Sequence, residues 1–101
     1  MNSYDFGDTV RLSVAFLNHA GLPADPTGVT VAMKYAVGTA PVTYTYGVGA
    51  QVVRDATGAY HCDVELAYAG LLYYRWEGTG AVEAVSEGQL LAKQSNVVAW
   101  I

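Results

Sequence analysis

Three observations predict an all-β chain folded as an antiparallel sandwich of about seven strands, with a barrel as the runner-up. Side chains alternate between apolar and polar with a period of two, Gly- and Pro-bearing breaks separate the alternating stretches, and no apolar rhythm of period 3.6 is sustained. A chain of 101 residues is one domain's worth. Residues 1–95 are therefore read as one sandwich and residues 96–101 as an apolar C-terminal segment.

The first predicted strand carries Val10, Leu12, Val14 and Phe16 on one face, with Arg11, Ser13 and Ala15 between them. Residues 18–26 hold one Gly and two Pro, which break regular structure and demand an irregular turn. The rhythm restarts at Val29, Val31, Met33 and Tyr35. After a break at residues 38–41, residues 42–46 are built wholly from types that suit a pleated, half-buried surface. Residues 51–54 form a short fourth strand and residues 55–58 a turn, where Asp can bond nearby amides and Gly can take positive φ. In the fifth strand Tyr60, Cys62, Val64 and Leu66 face the core, while His61, Asp63 and Glu65 face outward. Leu72, Tyr74 and Trp76 point inward from the sixth, which ends at residues 78–80, and Trp76 is expected to be the largest core side chain. The last strand spans residues 82–92, with Gly88 marking a bulge.

Composition narrows function. Only 14% of the residues are charged against 52% apolar, and there are eight tyrosines. Ordinary soluble surfaces carry roughly 25–35% charged residues, so either neighbours in an assembly cover part of this one or Gly, Ala, Ser and Thr supply a neutral but adequately wet surface. Arg11, Lys34, Arg54, Arg75 and Lys93 are scattered within a net charge of −4, which gives no phosphate-tracking stripe and argues against nucleic-acid binding. No apolar run approaches the roughly 18 residues that span a bilayer as a helix. A lone Cys62 forbids an intrachain disulfide, and the first five residues lack the regions of a secretion signal, which together point to folding in a reducing cytoplasm.

Candidate chemistry is sparse. His19 falls in a turn and His61 on an outward strand face, neither near a second His or Cys at metal-binding spacing, so no metal or cofactor is expected. Cys62, in phase with Tyr60 and Val64, is expected to be a buried, inert thiol. Asp63 and Glu65 share a face, where such pairs serve solubility more often than acid–base work. The glycines reproduce no phosphate-cradling loop, and no catalytic cluster emerges.

Residues 55–62, Asp-Ala-Thr-Gly-Ala-Tyr-His-Cys, resemble the run around the tyrosine corner of immunoglobulin domains, which narrows the sandwich to an immunoglobulin-like one. Asp55 stands one residue farther from Tyr60 than in that motif, and the partner cysteine is absent. More broadly, Tyr4-Asp5-Phe6-Gly7-Asp8-Thr9-Val10-Arg11-Leu12, Asp25-Pro26-Thr27, Thr57-Gly58-Ala59-Tyr60 and Tyr74-Arg75-Trp76-Glu77-Gly78-Thr79-Gly80 with Glu87-Gly88 resemble small proteins of tailed bacteriophages and prophages. That resemblance implies an immunoglobulin-like virion component, such as a capsid decoration or head-to-tail neck accessory, assembled in the host cytoplasm. Its partners would be other virion proteins, the major capsid or neck proteins among them, or further copies of itself. It supplies no catalytic residues.

Within residues 96–101, Val97, Val98, Trp100 and Ile101 form an apolar segment suited either to dock on a partner or to fold back over its own sandwich. The expected role is thus a structural protein working through protein–protein contacts. The alternative is a recognition module presenting loops such as residues 22–27 and 37–41 to a cell-surface ligand, for example a glycan.

Overall fold

Alternating segments of this kind bury one face each, and in the computed structural model, which describes residues 2–5, 7–36, 38 and 40–93, they pair into two sheets. The strands are β1 (Asn2–Asp5), β2 (Thr9–Ala15), β3 (Gly28–Tyr35), β4 (Val42–Thr45), β5 (Val52–Ala56), β6 (Ala59–Glu65), β7 (Gly70–Thr79) and β8 (Ala84–Lys93). One sheet has the order β1-β8-β7-β3-β4 and the other β2-β6-β5. The chain is an all-β, two-sheet sandwich.

The predicted inward faces meet between the sheets. Val10, Leu12 and Phe16 join Tyr60, Cys62 and Leu66 from the smaller sheet, while Val29, Val31, Met33, Leu72, Trp76, Leu90 and Ala92 come from the larger. Trp76 is fully buried and heads the enclosed side chains by volume, as its phase predicts. It lies on β7, which is flanked by β3 and β8, with Val31 and Ser86 as its cross-strand neighbours. Such cross-strand rows are where a sheet gains most of its specific packing.

Several expectations are corrected. Eight strands are present among the described residues, because Asn2–Asp5 pairs with β8. That pairing is parallel, against an otherwise antiparallel ladder. Four mostly polar residues carry no alternation to read, so β1 owes its form to the β8 edge rather than to its own pattern. β5 extends through Ala56, and its register shifts between Arg54 and Ala56, which makes Asp55 the extra residue of a bulge and leaves the turn to Thr57 and Gly58.

Gly88 marks no bulge. The β7–β8 register runs unbroken through Tyr74↔Gly88, and a Cβ at Gly88 would stand 2.5 Å from the Tyr74 ring. The glycine is there because an aromatic ring lies across it.

Candidate interaction surfaces

The segment between β2 and β3, read from sequence only as an irregular turn, is fastened along its length. Asn18 ties the loop across itself: its Oδ1 accepts from the amides of Ala20 and Leu22 at 2.9 and 3.1 Å, while its own N–H donates to the Leu22 carbonyl. Leu17 and Pro23 bridge as an isolated antiparallel pair, and Gly21 takes the positive φ of 78° that the tip requires. At the base, Phe16 N–H donates to the Gly58 carbonyl at 2.7 Å, Ala24 N–H to the Phe16 carbonyl at 3.1 Å, and Thr27 N–H to the Thr79 carbonyl at 2.8 Å. The loop is held as a rigid projection, and its apolar side chains Leu17 and Leu22 are 52% and 61% exposed.

Asp25 ties this loop to the β5–β6 hairpin. Its carboxylate accepts two bonds from the Arg54 guanidinium at 2.9 and 3.1 Å, one from Gly58 N–H at 2.8 Å and one from the Tyr60 hydroxyl at 2.9 Å. Arg54 also donates to Thr57 Oγ1 at 3.2 Å. The Arg54 bonds first, then those from Gly58 and Tyr60, hold the Asp25 carboxyl well below the usual carboxylate range. Burial, then the bond to Asp25, pushes the Tyr60 phenol up. The hairpin can come this close because residue 58 is glycine: φ is 74°, and a Cβ there would stand 2.5 Å from the Phe16 carbonyl oxygen.

This cluster replaces the expected tyrosine corner. Residues 55–62 form the β5–β6 hairpin, and the Tyr60 hydroxyl bonds the Asp25 side chain rather than a backbone group a few residues upstream. Asp55 has a different partner, His61, whose Nδ1 lies 2.7 Å from both its oxygens. A carboxylate can only accept, so Nδ1 carries the proton. His61 keeps its outward phase but is only 8% exposed, on the middle strand of its sheet beside Ser13 and Val53. The bulge at Asp55 aims the carboxylate that satisfies it.

The remaining candidates resolve simply. Cys62 is fully buried, and burial pushes its thiol up, away from the nucleophilic thiolate. Asp63 faces Arg11 across β2–β6 in a two-bond pair at 2.9 and 3.1 Å, which holds its carboxyl down. Glu65 stands opposite Thr9, and His19 is exposed in the β2–β3 loop. Arg11, Arg54, Arg75 and Lys93 each lie 2.8–3.7 Å from a carboxylate. No group of three or more His, Cys, Asp or Glu poised for a metal occurs among the described residues. Val97, Val98, Trp100 and Ile101 lie outside the described residues.

Two grooves mark the surface of the described residues. One, of about 490 Å³, is centred on the outer face of the larger sheet between Lys34, Tyr73, Arg75, Glu87 and Gln89. The other, of about 430 Å³, opens between the sheets near Tyr35, Tyr44 and Tyr68. Residues 22–27 precede β3, and the segment 37–41, of which residues 37 and 39 lie outside the described residues, follows it.

Sequence reasoning missed Asp25 and Arg54 as a unit, since the partners stand 29 positions apart and only the fold joins them. No match was found to any protein-family model, curated protein or solved structure.

Proposed function

We propose that this chain is an immunoglobulin-like structural protein of a tailed-phage particle, decorating or stabilising the capsid or head-to-tail neck through protein–protein contacts. The observation that carries the contact role is the β2–β3 loop, fastened along its length, with Leu17 and Leu22 exposed on it. Large aliphatic side chains held out to water on a fastened loop are anchors awaiting a partner, because the loop's ordering entropy is already spent before binding. The low charge content of 14% supports the same reading. The phage assignment rests on the sequence resemblance alone.

The immunoglobulin-like reading of the fold is supported by strand order. The smaller sheet, β2-β6-β5, has the sequence of strands B, E and D, and β8-β7-β3-β4 has that of G, F, C and C′. Two hallmarks differ. Cys62 stands alone on β6, and the core tryptophan sits on β7 rather than on β3, the counterpart of strand C.

The reading requires the protein in stoichiometric amounts in purified particles. Finding it only in the soluble fraction of lysed host cells would overturn it. A second reading, a module that binds a host-cell glycan, is favoured by the outer groove, where the 43% exposed Tyr73 lies among hydrogen-bonding Lys34, Arg75, Glu87 and Gln89. Retention on intact bacterial cells, lost on Tyr73→Ala, would support it over the first.

A further inference from the structure

A sheet edge is a row of unpaired backbone groups, which proteins blunt with charge, proline or a bulge. The edge strands among the described residues are β1 and β4 of the larger sheet and β2 and β5 of the smaller. β1 carries Asp5, β2 carries Arg11, and β5 carries Arg54, Asp55 and the bulge. β4, Val42-Thr43-Tyr44-Thr45, carries none of these. It lies within residues 35–53, the longest stretch of the sequence without Asp, Glu, Lys or Arg. A two-fold axis sets a strip of surface against itself, so like charges on it would repel, and in a chain of net charge −4 this neutral strip is the edge that best tolerates its own copy.

The backbone bonds fix which groups the edge offers. Tyr46 N–H donates to the Val29 carbonyl at 2.9 Å, in the same register as Val31↔Tyr44 and Met33↔Val42. Bonding direction alternates along an antiparallel pair, so Val42 and Tyr44 turn their N–H and C=O toward β3, while Thr43 and Thr45 turn theirs to the open side. One of these groups is already used, because the Thr45 carbonyl accepts from Val48 N–H at 3.1 Å. Pro41, next in the outward phase, has a carbonyl and no N–H.

We propose that β4 is the dimerisation edge of this protein, pairing antiparallel with β4 of a second copy about a two-fold axis at Thr43. In that register each Thr43 exchanges both backbone bonds with Thr43 of the other copy, and each Thr45 N–H donates to the Pro41 carbonyl of the other. The missing Pro41 N–H then faces the Thr45 carbonyl that Val48 already satisfies, so no edge group is orphaned. Val42 of each copy lies opposite Tyr44 of the other on the inter-sheet side, an aromatic and β-branched pair of the kind that stabilises sheets. The two larger sheets join into one continuous sheet. The pairing forms in the free protein, so absence from particles leaves it standing, and a monomer leaves the particle role standing.

Sedimentation equilibrium on the purified full chain tests it. A contact of one short strand is small, so the dimer should form with a Kd on the order of 10–100 μM. Thr43 is exposed and meets its own copy, so Thr43→Lys and Thr43→Glu should each fold like the parent and each weaken the dimer at least about tenfold. An equimolar mixture of the two should restore it, because the axis then joins opposite charges. In the parent, exchange of the Thr43 amide should slow as concentration rises, while the Tyr44 amide, bonded to β3 in either state, should not change. A parent that stays monomeric up to about 1 mM would overturn the proposal, tenfold above the weakest Kd expected for so small a contact. So would a dimer indifferent to both charges, one that the mixture fails to restore, or one in which Thr43 gains no protection.

Discussion

Replacing Trp76 by Ala removes the side chain on which both sheets close. Trp76 is fully buried on β7, between the Val31 and Ser86 rows. A buried tryptophan removes about 150–250 Å² from water, worth about 4–6 kcal/mol at roughly 25 cal/mol per Å². Two effects lower this figure: Ala keeps a small part of the burial, and loss of the indole removes a buried Nε1–H with no hydrogen-bond partner among the described residues, a group that costs about 1–3 kcal/mol where it stands. A third raises it, because walls that relax only partly leave a cavity. The net expectation is about 3–5 kcal/mol, the usual range for emptying a large aromatic site. Trp76→Phe keeps most of the ring and discards the orphan donor, so it should cost about 1–2 kcal/mol. Urea titrations followed by far-ultraviolet circular dichroism read both directly. The Ala variant's melting temperature should also fall by about 4–8 °C per kcal/mol. An Ala variant within about 0.5 kcal/mol of the parent would show that Trp76 does not face the core.

Other consequences can be checked on the same protein. Gly58→Ala, at φ 74° and 2.5 Å from the Phe16 carbonyl oxygen, should destabilise by more than the roughly 1 kcal/mol expected at Gly47, whose φ is 88° but whose added Cβ meets nothing within 4 Å. Comparing the two urea midpoints separates close approach from backbone strain. Asp25 has a depressed folded pKa, so its contribution is present above the ordinary carboxyl value of 3.8 and is lost as pH falls through the folded value. The stability gap between the parent and Asp25→Asn should therefore be widest near neutral pH and shrink in acid, and a gap independent of pH would refute the cluster. Gly88→Ala should cost about 1–3 kcal/mol by driving a Cβ into the Tyr74 ring. The loss should largely vanish in a Tyr74→Ala background, as a double-mutant cycle would reveal.

What the residues disclose on their own is the part governed by burial. Val10, Leu12 and Phe16 on β2, Val29, Val31 and Met33 on β3, and Leu72 and Trp76 on β7 all lie in the core because a period of two leaves each only one face to bury. Where pairing rather than patterning decides, the sequence is silent. Asn2–Asp5 becomes a strand only against the β8 edge. Gly88 reads equally as a bulge or as a seat for a ring, and only its cross-strand neighbour Tyr74 distinguishes them. The proposed contact loop was the least legible of all. Asn18, Asp25 and Arg54 look like ordinary turn and strand residues, and their joint effect, a locked loop that carries Leu17 and Leu22, exists only once distant segments are folded together. His61 follows the same logic, since its phase is readable but the bulge that brings it Asp55 is not.

The most direct measurement is particle occupancy of a Leu17→Asp, Leu22→Asp chain. Both side chains are solvent-exposed, so the purified double variant should melt like the parent, as surface changes of about ±0.5 kcal/mol do. Charge on this loop should nonetheless cut its stoichiometry in purified particles at least tenfold. Undiminished occupancy by a folded double variant would contradict the role assigned to this loop.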